Sequence, residues 1–335
     1  MTITFSGGMT VTGGGVTASG TPGAISWATA TATINGGYVS ASPTQIIRSG
    51  SGLNISTSTD GVTWNTTTLP TPSSSQTANQ VIYANGQWVI VGNPFTCSWT
   101  STDGTSWTVH NFSQPTGTSS AIQSNLVYGS GLYVGMIHDN TADSYMVGLY
   151  SSDGVTWNTS TITNTSGPNP NIISLATNGT QFFGWDGSYS QYYYTSTNGT
   201  TWTNSFISAG LGNSGSSTWT AERGFMYQAY SPGYFGCNNN PSSATNWSAY
   251  STVSTTLSSA FGILAFPISG IPTILIQTPY TNASAILSVS YDGGYTFVNT
   301  TLPSNSGYLG GQFGTIFKNK IYIFNGVTVF IGSPY

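Results

Sequence analysis

One short string recurs along the chain and restricts its fold more than any other feature. Ser58–Trp64 reads STDGVTW, Ser101–Trp107 STDGTSW, Ser151–Trp157 SSDGVTW and Ser196–Trp202 STNGTTW, with a longer version, SYDGGYTF, at Ser290–Phe297. The ring that ends each box serves as a marker. Trp27, in GTPGAISW, and Trp247, in the degenerate NPSSATNW, bring the markers to seven, at intervals of roughly 37 to 50 residues. A period of this length means an array of small units, each unable to bury its apolar face alone and stacked on its neighbours.

Inside a period the pattern is strand, tight turn, strand, longer loop, strand, box, strand. NQVIYANGQWVIVG gives two runs around Asn85-Gly86, FTCSWTS a third, and Trp107–Phe112 a fourth after the box. NLVYGSGLYVGMI and SLATNGTQFFGW repeat the hairpin with Gly131 and Gly179 at the turn. These turns need residues that tolerate positive φ, which is why Asn-Gly and Ser-Gly mark hairpins. No stretch carries a sustained helical period. The box is a cap: Ser and Asp oxygens fold back onto turn amides, Gly takes the left-handed position, and the aromatic ring opens the next strand at the seam between units. Four antiparallel strands per period, repeated radially, make an all-β chain and specifically a β-propeller; seven markers predict seven blades.

The ends of the chain fit a closed ring. GTIFKNKIYIFNGVTVFIGSPY supplies three strands with no box after them, whereas Trp27 has no three strands before it. Trp27–Ile34 is therefore expected to pair as the outer strand of the last blade, covering an otherwise open edge. Residues 21–335 form the propeller in this reading. Residues 1–20, in which Thr alternates with Ile, Phe and Val between Gly clusters, are left as an extended arm that docks by β-pairing.

Composition limits what such a ring does. The chain has four Lys and Arg, eight Asp and Glu, 4% charged residues and a net charge of −4, while 13% aromatic residues supply a core. Without clustered cations, nucleic acid is excluded as a partner. Phe261–Ile276, the most apolar window, is interrupted by Pro267, Gly270 and Pro272, so no membrane insertion is expected. Cys97 and Cys237 lie far apart with no CxxC, and His138, Asp139 and Asp143 lack the spacing of a calcium loop, so neither a metal nor another cofactor is expected.

The boxes carry a resemblance. SxDxGxxW/F resembles the Asp-box, or BNR repeat, of sialidases and related propellers, where it caps the hairpin between the third and fourth strands. Ser290, Asp292, Gly294 and Phe297 match that spacing. Ser58/Asp60/Gly61/Trp64, Ser101/Asp103/Gly104/Trp107, Ser151/Asp153/Gly154/Trp157 and Ser196/Asn198/Gly199/Trp202 are one residue shorter, the last with Asn for Asp. The resemblance implies the fold and not an activity. A sialidase clamps its substrate with three arginines, and only Arg48 and Arg223 are present; Glu222 is the single glutamate. Photosystem-assembly propellers also use such boxes, but they need a basic patch that four Lys and Arg do not make.

Binding is thus expected rather than catalysis. The boxes share one face with the first-to-second turns, which leaves the opposite face to the second-to-third loops. Asp139, Asp143, Trp185, Asp186, Tyr189 and Tyr192 stand in or beside those loops and combine rings with short polar groups, the chemistry of neutral sugar recognition. In style, the Thr/Gly-alternating start and the Ser/Thr/Asn/Gly-rich body resemble tail, fibre or capsid-surface proteins of marine bacteriophages. That resemblance implies a non-enzymatic virion surface protein displaying the propeller for adhesion. Its expected partners are other virion proteins through the N-terminal arm, a host-surface glycan and further copies of itself. A free, extracellular lectin-like propeller and an atypical glycosidase are the alternatives. Scarce Lys and Arg favour the first two, since trypsin-like proteases find little to cut.

Overall fold

The computed structural model describes the backbone of residues 2–4, 10–12, 15–17, 25–114, 118–122, 124–139, 146–163, 171–187, 192–206, 214–229, 234–238, 248–251, 260–279, 286–303 and 313–334. Every regular element among them is a strand. Five free-standing sheets each hold four antiparallel strands. Four of them are contiguous, spanning 39–68, 77–111, 214–251 and 260–301. The fifth joins Gly314–Phe317, Lys320–Asn325 and Thr328–Ser333 to Ser26–Thr31 from the other end of the chain. Thr328 lies opposite Thr31 and Ser333 opposite Ser26, which is the pairing expected of the Trp27 segment. The architecture is a β-propeller of four-stranded antiparallel blades.

Segments 118–163 and 172–206 repeat the same meander but merge into one nine-stranded sheet, an arrangement the repeat pattern does not foretell. Asn158–Thr163 pairs in parallel with Thr201–Phe206, Thr161 opposite Thr201. The contact joins Thr161–Thr163, beyond the three residues that pair with Gly148–Tyr150, to Thr201–Thr203, and the Thr161 amide there donates to the Thr200 carbonyl at 2.9 Å.

The tight turns have the backbone their sequences require. Asn85 and Gly86 lie at φ 52° and 75°, Ser130 and Gly131 at 49° and 79°, and Lys318 and Asn319 make the same turn at 48° and 59°.

The core is divided among clusters that straddle consecutive sheets. Ile47 and Ile55 of the 39–68 sheet pack with Trp88, Ile90 and Trp99 of the next. Val89, Val91 and Phe95 pack with Ile122, Tyr133 and Leu149. Ile46 and Trp64 pack with Tyr322, Phe324 and Val329, across the join between the two ends of the chain. Strands buried on both faces carry near-continuous apolar runs, as WVIV at 88–91 does, so each sheet is stable only between neighbours.

The three described strands that precede residue 25 form a sheet of their own. Thr2–Thr4, Thr10–Thr12 and Gly15–Thr17 pair antiparallel with one another, Ile3 opposite Val11 and Val11 opposite Val16.

Candidate functional site

Each described box is built by the same few bonds. In the first, Ser58 Oγ accepts from the Gly61 amide at 2.8 Å and donates to Asp60 Oδ1 at 3.0 Å, while that oxygen accepts from the Val62 and Thr63 amides at 2.8 and 2.7 Å. Ser101/Asp103, Ser151/Asp153 and Ser196/Asn198 repeat the geometry, with the Gly104, Gly154 and Gly199 amides donating to the box serine at 2.8, 2.9 and 2.8 Å. In the longer box Ser290 Oγ takes the Gly294 amide at 2.8 Å, and Asp292 Oδ1 takes those of Tyr295 and Thr296. The indoles of Trp107, Trp157 and Trp202 each donate to the carbonyl of their own box glycine, at 3.2, 3.3 and 3.2 Å. Amide donors hold the Asp60 and Asp103 carboxyls well below the usual range. At Asp153 and Asp292 burial is the largest single effect and pushes upward, but the hydrogen bonds together outweigh it and the net shift is also downward.

The box glycines answer to two demands at once. Gly61, Gly104, Gly154 and Gly199 lie at φ 77°, 72°, 73° and 71°, the left-handed backbone expected of them, and all four are buried against the preceding sheet. A Cβ at Gly61 would overlap the Tyr322 ring and one at Gly104 the Gln45 amide, while at Gly154 and Gly199 it would press on Val89 and Val134. These glycines therefore seat the caps and offer nothing to a ligand.

Each cap is further tied to the sheet before it. Gln45 Nε2 donates to the Asp103 carbonyl at 2.7 Å and Gln87 Nε2 to the Asp153 carbonyl at 2.8 Å, both from the neighbouring first-to-second hairpin. Lys318 Nζ donates to the Thr59 carbonyl at 2.9 Å, so the same contact bridges the two ends of the chain.

Both arginines belong to such seams. Arg48, 1% exposed, donates Nη1 to the Gly326 carbonyl at 2.6 Å and Nη2 to the Gly36 carbonyl, and lies 4.9 Å from the centre of the Phe324 ring. Burial brings its pKa down to about 10. Arg223 donates Nη1 to the Gly294 carbonyl of the Ser290 box at 3.1 Å and sits 4.4 Å from the Tyr295 ring centre. Glu222 beside it accepts the Thr273 amide at 2.8 Å. His110 bonds Thr100 Oγ1 at 2.9 Å on an outer strand.

Of the residues expected to recognise a ligand, Trp185, Asp186 and Tyr192 are described with their side chains. Trp185 and Asp186 end the strand Phe182–Asp186 and are fully buried. The Trp185 ring packs 6.1 Å from Phe183 in the cluster that also holds Phe225, so it presents no stacking face to solvent. Asp186 Oδ2 accepts the Asn171 amide at 3.1 Å. Tyr192 is half-buried, its ring 5.2 Å from Phe206. Asp139 ends the strand Leu132–Asp139, with its side chain outside the described residues, and Asp143 and Tyr189 lie wholly outside them, as does Trp247. Among the described residues no group of three or more His, Cys, Asp or Glu is placed to hold a metal.

A different site lies at the axis. The first strands of consecutive units neighbour one another, and a polar side chain from one reaches the backbone edge of the next. Gln80 accepts the Leu126 amide at 2.6 Å and donates to the Ser124 carbonyl. Asn125 accepts the Leu175 amide and donates to the Leu175 carbonyl, both at 2.8 Å. Ser174 Oγ accepts the Ser217 amide at 2.8 Å, and Ser216 Oγ the Ile263 amide at 2.7 Å. Beside this girdle lies a cavity of about 360 Å³, lined by Asn125, Val127, residues 174–177, 216–219 and 263–265, and Pro267. Among the described residues no charged side chain lines it. Thr177, Trp219 and Pro267 adjoin the first-to-second turns, so the cavity sits toward the face that carries the boxes. No residue expected to bind from sequence lines it. Its signal in the sequence is a small polar residue recurring in the first strand of SNLVYG, ISLATN and SSTWTA.

No family model matches the chain, and no curated protein matches it. Solved structures do resemble it. YCF48 bound to a D1 peptide is 16% identical, covering 93% of this chain and 96% of its own, with a TM-score of 0.62. A catalytically inactive virginiamycin B lyase from Staphylococcus aureus with quinupristin is 10% identical over 92% and 99%, TM-score 0.67. The Niastella koreensis GH74 enzyme is 16% identical, covering 91% of this chain and 43% of that one, TM-score 0.58. At these identities the likeness is one of fold.

Proposed function

We propose that the chain is a seven-bladed, Asp-box propeller serving as a non-enzymatic virion surface protein, displayed for adhesion or glycan recognition. The two merged meanders count as two blades. Apolar clusters at all seven joins between consecutive units support the count, each drawing on two neighbours. The Asp-box kinship is supported by the shared Ser, Asp and Gly bonds and by the seating of Gly61, Gly104, Gly154 and Gly199 on the preceding blade.

The observation that carries the functional reading is where the cations are. Arg48 and Arg223 are buried in seams, which leaves Lys318 and Lys320 as the exposed tryptic sites, both beside one tight turn. A ring locked by neutral side-chain bonds, with its cations withdrawn or confined, suits a permanently exposed particle surface. The D1 peptide named with YCF48 is a chain segment bound to a protein of related fold. Attachment of this propeller to other virion proteins through residues 1–20 is the corresponding proposal. Mass spectrometry of purified particles tests the reading. A fixed copy number per particle is expected, and a chain found only in the soluble fraction refutes it.

A further inference from the structure

We propose that the axial cavity on the box-bearing face is a binding site for a neutral saccharide. This takes up the glycan-recognition part of the reading above but places it away from the second-to-third loops, and it does not depend on where the protein is displayed. Three features select the ligand.

The first is the open backbone edge. Leu175 spends both its amide and its carbonyl on Asn125, so both point away from its own sheet; by antiparallel alternation those of Thr177, two residues on, do the same. The Ser217 and Ile263 amides likewise point to Ser174 and Ser216, which sends the peptide groups of Trp219 and Ala265 toward the axis. Three consecutive first strands therefore present donors and acceptors to one space.

The second feature is the mix of side chains. Thr218 supplies a hydroxyl, since Thr177 spends its own on the Gln181 carbonyl and the Gly179 amide, and Leu264, Pro267 and the edge of Trp219, which also packs on the cluster of Ala176 and Phe225, supply apolar surface. A sugar offers hydroxyls to the former and its C–H face to the latter.

The third is that no described lining residue is charged. A carboxylate, phosphate or ammonium ligand would lose its hydration with no counter-charge, which leaves uncharged ligands. A volume of about 360 Å³ falls within the span of small-molecule pockets and takes a ligand of one or two rings.

The test is titration calorimetry and saturation-transfer NMR on the full chain, with D-glucose, D-galactose, N-acetyl-D-glucosamine and their β-linked disaccharides. At least one should bind. Thr218→Ala should weaken that sugar about three- to tenfold. Ala265→Leu enlarges a lining side chain that also packs against Met226, Ile263 and Leu275; it should abolish binding while lowering the melting temperature by only about 1–4 °C. Failure of every probe to bind up to about 50 mM overturns the proposal. So does binding that survives both variants, or that is lost in Tyr192→Ala and kept in Ala265→Leu. Particle association of the Ala265→Leu chain, measured separately, reports on the virion reading alone.

Discussion

Replacing Gln80 by leucine isolates the axial girdle from the rest of the fold. The swap keeps most of the side-chain volume but removes the amide that serves two buried backbone groups, the Leu126 N–H and the Ser124 carbonyl. Gln80 is 1% exposed, Ser124 0% and Leu126 8%, so water does not replace what is lost. Each orphaned group costs about 1–3 kcal/mol, and the added apolar burial offsets part of it, for a net loss of about 2–4 kcal/mol. Unfolding entropy for a chain of 335 residues is about 0.7 kcal/mol per kelvin, so the melting temperature should fall by about 3–6 °C. Gln87→Leu is the matched control: it removes one exposed bond to the Asp153 carbonyl and should cost under about 1 kcal/mol. Calorimetry of both variants, with hydrogen exchange followed at the Leu126 amide, makes the comparison. Equal shifts for the two, or no shift for Gln80→Leu, would refute the girdle as a stabilising element.

The seams are open to the same kind of comparison. Gly61→Ala forces a left-handed alanine against the Tyr322 ring and should destabilise by about 2–5 kcal/mol; Gly86→Ala, with nothing within 4 Å, should cost only the backbone contribution of about 1–2 kcal/mol, as denaturant titration of both would show. The box carboxyls titrate lower when folded than unfolded. Their stabilisation is therefore complete above about pH 4 and lost as pH falls further toward their folded values. A melting temperature flat from about pH 8 to 5 and dropping below about pH 4 is expected, and Asp103→Asn should reduce that acid drop, since Asn198 already makes the same bonds as a neutral amide. Native trypsin digestion should leave the ring intact except at Lys318 and Lys320; rapid cleavage after Arg48 or Arg223 would contradict their burial.

The fold was legible because its devices are local. Asn85-Gly86, the Ser/Asp/Gly caps and the ring after each cap declare hairpins within a few residues, and the unmatched strands at the two ends declare the closing pair of Ser26–Thr31 with Thr328–Ser333. The merged sheet was not legible, because the parallel contact joins Thr161–Thr163 to Thr201–Thr203, which come from separate periods and read like any other Thr-rich outer strand. The expected ligand residues show a similar limit. WDGSYSQYYY reads as an exposed aromatic loop, but Trp185 and Asp186 close a buried strand, and alternation at a strand end does not say which side chain is the last inside. The axial site escaped for a different reason. Its polar groups come from separate periods, and Asn125, Ser174 and Ser216 look like turn-flanking residues until the ring brings their strands together.

The central claim, that the two ends of the chain complete one sheet and so close the ring, is tested most directly by a disulfide. Ser26 and Ser333 are register partners 307 residues apart, and the Ser26 hydroxyl already lies 3.4 Å from the Ser333 carbonyl. In the doubly substituted Ser26→Cys/Ser333→Cys chain, with Cys97 and Cys237 buried, mild oxidation of the native protein should link the two positions, seen as one cross-linked peptide by mass spectrometry and absent when oxidation follows denaturation at low concentration. Both thiols staying free and alkylatable in the native protein would contradict closure.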